Sequence, residues 1–150
     1  MTFLLDVSVL IALIDPMHVA HDTVHDWFRA EGSDSWATCP LTENGVVRIV
    51  SNSKYLHSPG PPAVVGNVLA GLREHPGHIF WPDDISVIDT RHIDIGSVPT
   101  SAHVTDAYLL ALAKHRKGKL ATLDRRLQTA SVANGAAFLH IITVETKPRL

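Results

Sequence analysis

Two short apolar runs, Phe3-Leu4-Leu5 and Leu120-Ala121-Thr122-Leu123, each lead directly into an aspartate, Asp6 and Asp124, with helical patterns between them. An apolar run without alternation is how a strand buried on both faces reads. If both runs lie in one parallel sheet, their carboxyl ends share a rim, and Asp6 and Asp124 meet there although they are 118 positions apart. In open α/β sheets that rim is where sites are built.

The rest of the chain supplies the alternation such a sheet needs. Ser8 offers an N-cap to an apolar helix from Val9 to Ile14, stopped by Asp15-Pro16, and a second helix runs from about Ala20 to Arg29. Ser35 to Cys39 reads as a strand, and after Pro40 a helix opens at Leu41-Thr42-Glu43. Ser58-Pro59-Gly60-Pro61-Pro62 is a loop before a helix from Ala63 to Glu74, and His78 to Trp81 is a short strand. Ile85 to Thr90 is ambiguous. The pattern from Ser101 to Lys117 is one long helix, capped by Thr100 or Ser101 and released at Gly118. After Asp124 a short helix to Asn134, a stop at Gly135 and a strand from Ala137 to Ile142 are expected. The alternation predicts one α/β domain over residues 1–150 around a mainly parallel sheet.

Two further acids fall at the same rim: Glu43 opens a helix directly after a strand, and Asp106 lies in the first turns of the long helix. Singly, each of the four has a structural explanation, since acids favour turns, caps and helix N-termini. Together they repel unless a cation sits among them. An all-oxygen set suits Mg²⁺, which keeps waters and leaves room for a substrate phosphate, so metal-assisted phosphodiester hydrolysis follows as an expectation. Ser8 and Thr122 are placed to hold waters or orient carboxylates, although N-capping and strand propensity explain them equally well.

Charge permits a polyanionic substrate without requiring one. Net charge is −2, yet residues 1–45 hold seven acids against Arg29 alone, and residues 114–126 hold six bases against Asp124. Lys114, Arg116, Lys117, Lys119 and Arg125 are therefore candidates for gripping a nucleic-acid backbone, the plainer reading being solvated helix faces. The single Cys39 excludes an internal disulfide, and with no cationic leader a reducing cytoplasm is expected. No apolar run approaches the roughly 20 residues of a bilayer crossing, so no membrane role is expected.

Other constellations carry less. His18, His21 and His25 share a helix face and mimic a metalloprotease motif with Asp22 where Glu belongs, but surface histidines are the better account. Cys39 lacks neighbouring cations and reads as an inert buried thiol. Trp27, Phe28 and Trp36 suit core or interface packing better than base stacking, with Trp81 undecided. No glycine-rich phosphate loop appears, which argues against a dinucleotide enzyme or an NTPase.

At these positions the sequence resembles the PIN-domain nucleases, and more closely the VapC-type toxins of bacterial toxin–antitoxin pairs. The matching pieces are Leu4 to Ser8, Thr42 to Arg48, Phe80 to Asp84, Val104 to Ala113 and Leu120 to Asp124, in that order. The resemblance implies a Rossmann-like, three-layer α/β/α PIN fold and a site in which Asp6, Glu43, Asp106 and Asp124 bind Mg²⁺ or Mn²⁺ for RNA cleavage. It also implies a homodimer and a small inhibitory antitoxin lying over the active site. Where many relatives carry Asn before the third acid, this chain has Thr105. A non-catalytic binding module on the same fold, and a metal-dependent hydrolase of DNA or a small phosphoester, are the alternatives.

Overall fold

The computed structural model describes residues 1–144. Five strands, β1 (Phe3–Leu5), β2 (Trp36–Thr38), β3 (His78–Phe80), β4 (Lys119–Thr122) and β5 (Leu139–Ile141), form one sheet in the order β3-β2-β1-β4-β5. Every pairing is parallel, so all five carboxyl ends lie along one rim. Strand β1 sits centrally and is buried throughout, which is why Phe3-Leu4-Leu5 shows no alternation.

Alternation along the strands instead sorts side chains between two cores. Phe3, Leu5, Trp36 and Ala121 face helices α1 (Val7–Ile14), α2 (His21–Trp27), α3 (Pro40–Val50) and α4 (Pro62–Arg73). Leu4, Ala37 and Leu120 face α5 (Val104–His115) on the other side. The result is the expected three-layer α/β/α architecture. Helix α5 is buried continuously from Ala107 to Ala113, because Ile85, Ile93, Leu127 and Val132 cover the side turned away from the sheet.

Several boundaries differ from the sequence reading for identifiable reasons. Helix α1 begins at Val7, and its N-cap is Asp6, whose carboxylate accepts the Val7 N–H at 2.7 Å; Ser8 therefore lies inside the helix. A five-residue π-helical turn, Phe28–Gly32, continues α2 past the expected end. A 3₁₀ turn, Ser101–His103, precedes α5. Residues 125–134 form turns where a short helix was expected: the Arg126 N–H closes back on Asp124 at 2.8 Å, and Ser131 O accepts the Asp94 N–H. Asn134 is left-handed, Gly135 opens a 3₁₀ turn, and β5 starts at Leu139, two residues later than expected.

The end of α5 shows how the glycine after it is used. The Lys117 N–H bonds Lys114 O at 2.9 Å and the Gly118 N–H bonds Ala113 O at 2.8 Å, a Schellman stop in which the left-handed residue is Lys117 (φ 58°). Gly118 is required for a different reason: a Cβ there would stand 2.4 Å from Thr2 O and 2.9 Å from the Trp81 ring. Gly66, inside α4, would meet nothing within 4 Å. Gly118→Ala is therefore expected to cost about 1–3 kcal/mol, and Gly66→Ala to add about 0.5–1 kcal/mol. Urea midpoints of the two variants check this, and equal midpoints would contradict the packing described for Gly118.

Candidate active site

Asp6 is the anchor. The turn from β1 into α1 places its backbone N–H on Ala121 O of β4 and its carboxylate over the first turn of α1. Oδ1 accepts the Val7 N–H, and Oδ2 accepts the Thr122 hydroxyl at 2.7 Å. Thr122 in turn accepts the Asp124 N–H at 3.1 Å, so one threonine fixes both strand-end acids. Burial raises the Asp6 pKa above its ordinary value against these hydrogen bonds, and Asp124 adds to the rise.

Asp106 occupies the first turn of α5 and is half-buried. The helix N-terminus favours its ionised form by about 0.3–1 kcal/mol, yet its pKa is pushed up to about 6, first by burial and then by the charges of Asp6 and Asp124. Its carboxylate has no protein hydrogen bond among the described residues. The three aspartates thus form one electrostatically coupled group, although no three acids, histidines or cysteines among the described residues already surround a common ligating point.

Glu43 is held by partners on the β2–β3 side. Its Oε2 accepts the Thr38 hydroxyl at 2.6 Å and its Oε1 accepts an Arg73 N–H at 3.2 Å. Because the Thr38 proton goes to Glu43, His78 Nε2, 2.7 Å away, is the donor to Thr38 Oγ1. Burial, followed by the Arg73 charge, lowers the His78 pKa. Of the four expected acids, Asp6, Asp106 and Asp124 are electrostatically coupled, and Glu43 is tied to Thr38 and to the basic Arg73. Thr38, Arg73 and His78 were not singled out from the sequence, since nothing in residues 5, 30 and 35 positions from Glu43 marks them as neighbours.

Thr122 orients carboxylates, as one of its two readings had it. Ser8 does not cap α1, and its buried Oγ has no protein partner among the described residues. The basic candidates are not gathered with the acids. Helix α5 runs away from the rim, so Lys114, Arg116, Lys117 and the β4-opening Lys119 lie near the opposite end, Lys114 about 12 Å and Arg116 about 15 Å along the helix axis from Asp106. Lys114 is bound to Ala133 O at 2.6 Å and Arg116 to Asp84. Arg125 alone of the five follows directly on a site acid, with one N–H on Val144 O at 3.3 Å.

The competing constellations resolve as structure. His21 Nδ1 and His25 Nε2 lie 2.6 and 3.0 Å from the carbonyls of Ala12 and Leu13, closing the end of α1. Their rings are partly buried there, which corrects the surface reading. Burial pushes the Cys39 thiol up to about 11, leaving it inert. Trp36 and Trp81 are buried, and Trp27 packs on Phe3 and His140.

Comparison with known proteins agrees with this architecture. The PIN domain family model matches residues 3–132. Ribonuclease VapC39 of Mycobacterium tuberculosis is 43% identical over 133 residues, covering 89% of this chain and 96% of the relative. Ribonuclease VapC44 of the same organism is 37% identical over 146 residues, covering 96% of this chain and all of the relative. Among solved structures, FitAB bound to the IR36 DNA fragment shares the fold at a TM-score of 0.63 and 18% identity, covering 96% of this chain and 98% of the other. VapBC2 from Rickettsia felis, bound to a promoter DNA fragment, does so at 0.54 and 12%, covering 84% and 90%. The family model over residues 3–132, with relatives 37–43% identical over most of both chains, makes this chain, with its parallel sheet and three coupled aspartates on the carboxyl rim, a member of the PIN-domain family and a relative of the VapC ribonucleases.

Proposed function

We propose that the chain is a Mg²⁺-dependent endoribonuclease, the toxin of a toxin–antitoxin pair, cleaving RNA phosphodiester bonds at Asp6, Asp106 and Asp124 with Glu43 on the flank. The observation that carries this reading is Asp106, whose carboxyl is pushed up to about 6 by burial and by two neighbouring aspartates. Such a group is relieved by a cation. The donors on offer, three carboxylates, are all oxygens and fit a hard divalent ion, Mn²⁺ as well as Mg²⁺. When bound, the ion lowers the pKa of a coordinated water and offsets charge at the scissile phosphate.

The chain's own residues do the positioning. Asp6 is held by Val7 and Thr122, so its remaining lone pairs keep one direction. Asp124 is tied at Oδ1 by the Arg126 N–H, leaving Oδ2 open. Asp106, whose carboxylate has no hydrogen bond among the described residues, comes from the layer on the other side of the sheet. RNA as substrate rests on the ribonucleases among the relatives. A small antitoxin, a homodimer and a cytoplasmic setting rest on the family resemblance, with the VapBC2 and FitAB assemblies as examples of the fold in complexes.

Purified protein should cut a total RNA pool into discrete products with Mg²⁺ or Mn²⁺ and not with EDTA. Asp6→Asn and Asp106→Asn should lower cleavage by at least about 100-fold, the upper end of what losing a supporting residue alone costs. Matching DNA should survive if the 2′-hydroxyl and strand form are read. Cleavage by Asp106→Asn equal to wild type would remove the assignment.

The Asp106 carboxyl also predicts a stability signature. Its folded pKa lies above its ordinary value of 3.8, so the native state binds the extra proton and stability falls as pH rises from about 4 through about 6. A fully buried group displaced this far would lose about 3 kcal/mol; half-exposed and screened, Asp106 should lose about 1 kcal/mol. Asp106→Asn should therefore be more stable than wild type by about that amount at pH 7.5 in EDTA, and equal to it at pH 4. Added Mg²⁺ should raise the wild-type melting temperature more than that of the variant. An unchanged difference between pH 4 and 7.5 would show that Asp106 is not under this strain.

A further inference from the structure

The three coupled aspartates set a problem for any polyanionic substrate: its phosphates approach a negative rim, and four of the five bases expected to receive them lie near the other end of the sheet. The rim does hold a cation that the sequence did not advertise. Arg73, the last residue of α4, carries its guanidinium to the carboxyl end of β3. One N–H reaches Glu43 Oε1 at 3.2 Å, and the guanidinium carbon stands 5.0 Å from the centroid of the Phe80 ring. The side chain is still 40% exposed, and its other N–H groups have no protein partner among the described residues.

A guanidinium held by a carboxylate and an aromatic ring has lost the rotamer freedom that normally weakens a surface arginine, and its remaining donors are pre-aimed. Phe80 is itself out of place for a core aromatic. It ends edge strand β3 with 43% of its surface exposed, whereas Trp81 beside it is buried. An exposed ring flanked by a fixed cation is what single-stranded nucleic acid binds, phosphate on the cation and base on the ring. Arg125 follows Asp124 on the β4 side, so the two cations bracket the aspartates across three strand spacings, about 14 Å.

Resting on the ribonuclease reading above, we propose that Arg73 and Phe80 form a clamp for single-stranded RNA on the β3 side of the site, Arg73 binding a backbone phosphate and Phe80 stacking with the adjoining base. Glu43 is then a positioning residue for Arg73 as well as a flank of the acidic group. A strand entering between Arg125 and Arg73 would cross the aspartates on its way.

The test is fluorescence anisotropy of a short fluorescein-labelled single-stranded RNA in EDTA, where it is not cut, over a salt series. Arg73→Gln should weaken binding about tenfold and lower the log–log salt slope by about 0.7, the value for one phosphate on a single strand. Arg73→Lys should keep the slope and lose part of the affinity, because the charge stays while the fork and the ring contact go. Phe80→Leu should weaken binding about tenfold without changing the slope, and Lys117→Ala should change neither. Adding Glu43→Gln to Arg73→Gln removes the newly unpaired carboxylate, and the slope should stay reduced. If Arg73→Gln cleaves poorly yet binds with wild-type affinity and slope, Arg73 only orients Glu43 and the clamp is overturned. If wild type neither binds the RNA nor cuts a total RNA pool with Mg²⁺, the ribonuclease reading falls with the clamp, whereas RNA cut by wild type with no binding in EDTA, or with unaltered binding by the Arg73 and Phe80 variants, defeats the clamp alone.

Discussion

The carboxylate of Asp6 does two jobs, and the rest of the molecule depends on their being compatible. As an N-cap it starts α1; through Thr122 it ties β1 to β4, its neighbour at the centre of the sheet. Both bonds point one oxygen each, so a buried acid that folding would otherwise penalise is fixed in place where the strands end. Because every strand is parallel, whatever follows a strand falls on that same rim, and Asp124, Glu43 and Asp106 arrive there by topology. The net result of burial and hydrogen bonding is a raised pKa: desolvation and Asp124 outweigh Val7 and Thr122. The site is thus a place where the fold holds charge against its own preference, as functional sites do.

Much of this was readable because it needs only period and order. Phe3-Leu4-Leu5 and, Thr122 apart, Leu120 to Leu123 are apolar runs without alternation, and such a run implies burial on both faces. Asp6, Asp124 and Asp106 therefore converge on chain order alone. The pairing of Glu43 was not readable, because Arg73, Thr38 and His78 reach it only through the β2–β3 pairing and the end of α4. Residues 125–134 misled because composition does not fix the path of the backbone: Leu127 and Val132 are drawn into the core around α5, and Ser131 O accepts the Asp94 N–H, so tertiary contacts hold the segment in turns.

The basic stretch turns on direction. Lys114 to Lys119 stand close to Asp124 in sequence, which invites a shared surface. Yet a helix that leads into a strand's amino end must finish at the far side of the sheet from that strand's carboxyl end. Four residues of β4, Lys119–Thr122, then carry the chain back to the rim. Counting charges along a chain ignores this reversal, whereas the order helix, strand, acid contains it.

Once direction is included, the charge asymmetry acquires a physical cause independent of substrate. Helix α5 presents its positive end to Asp106 and its negative end to Lys114 and His115. Lys114 closes on the Ala133 carbonyl and over the Phe138 ring, and Arg116 bonds Asp84, so both tie the far end of α5 to its covering loops. Acids at one end and bases at the other are what the dipole of a buried twelve-residue helix favours. The same separation leaves the acidic rim short of positive charge, and that shortage makes Arg73, brought in from the other layer and held by Glu43 and Phe80, the cation that matters there.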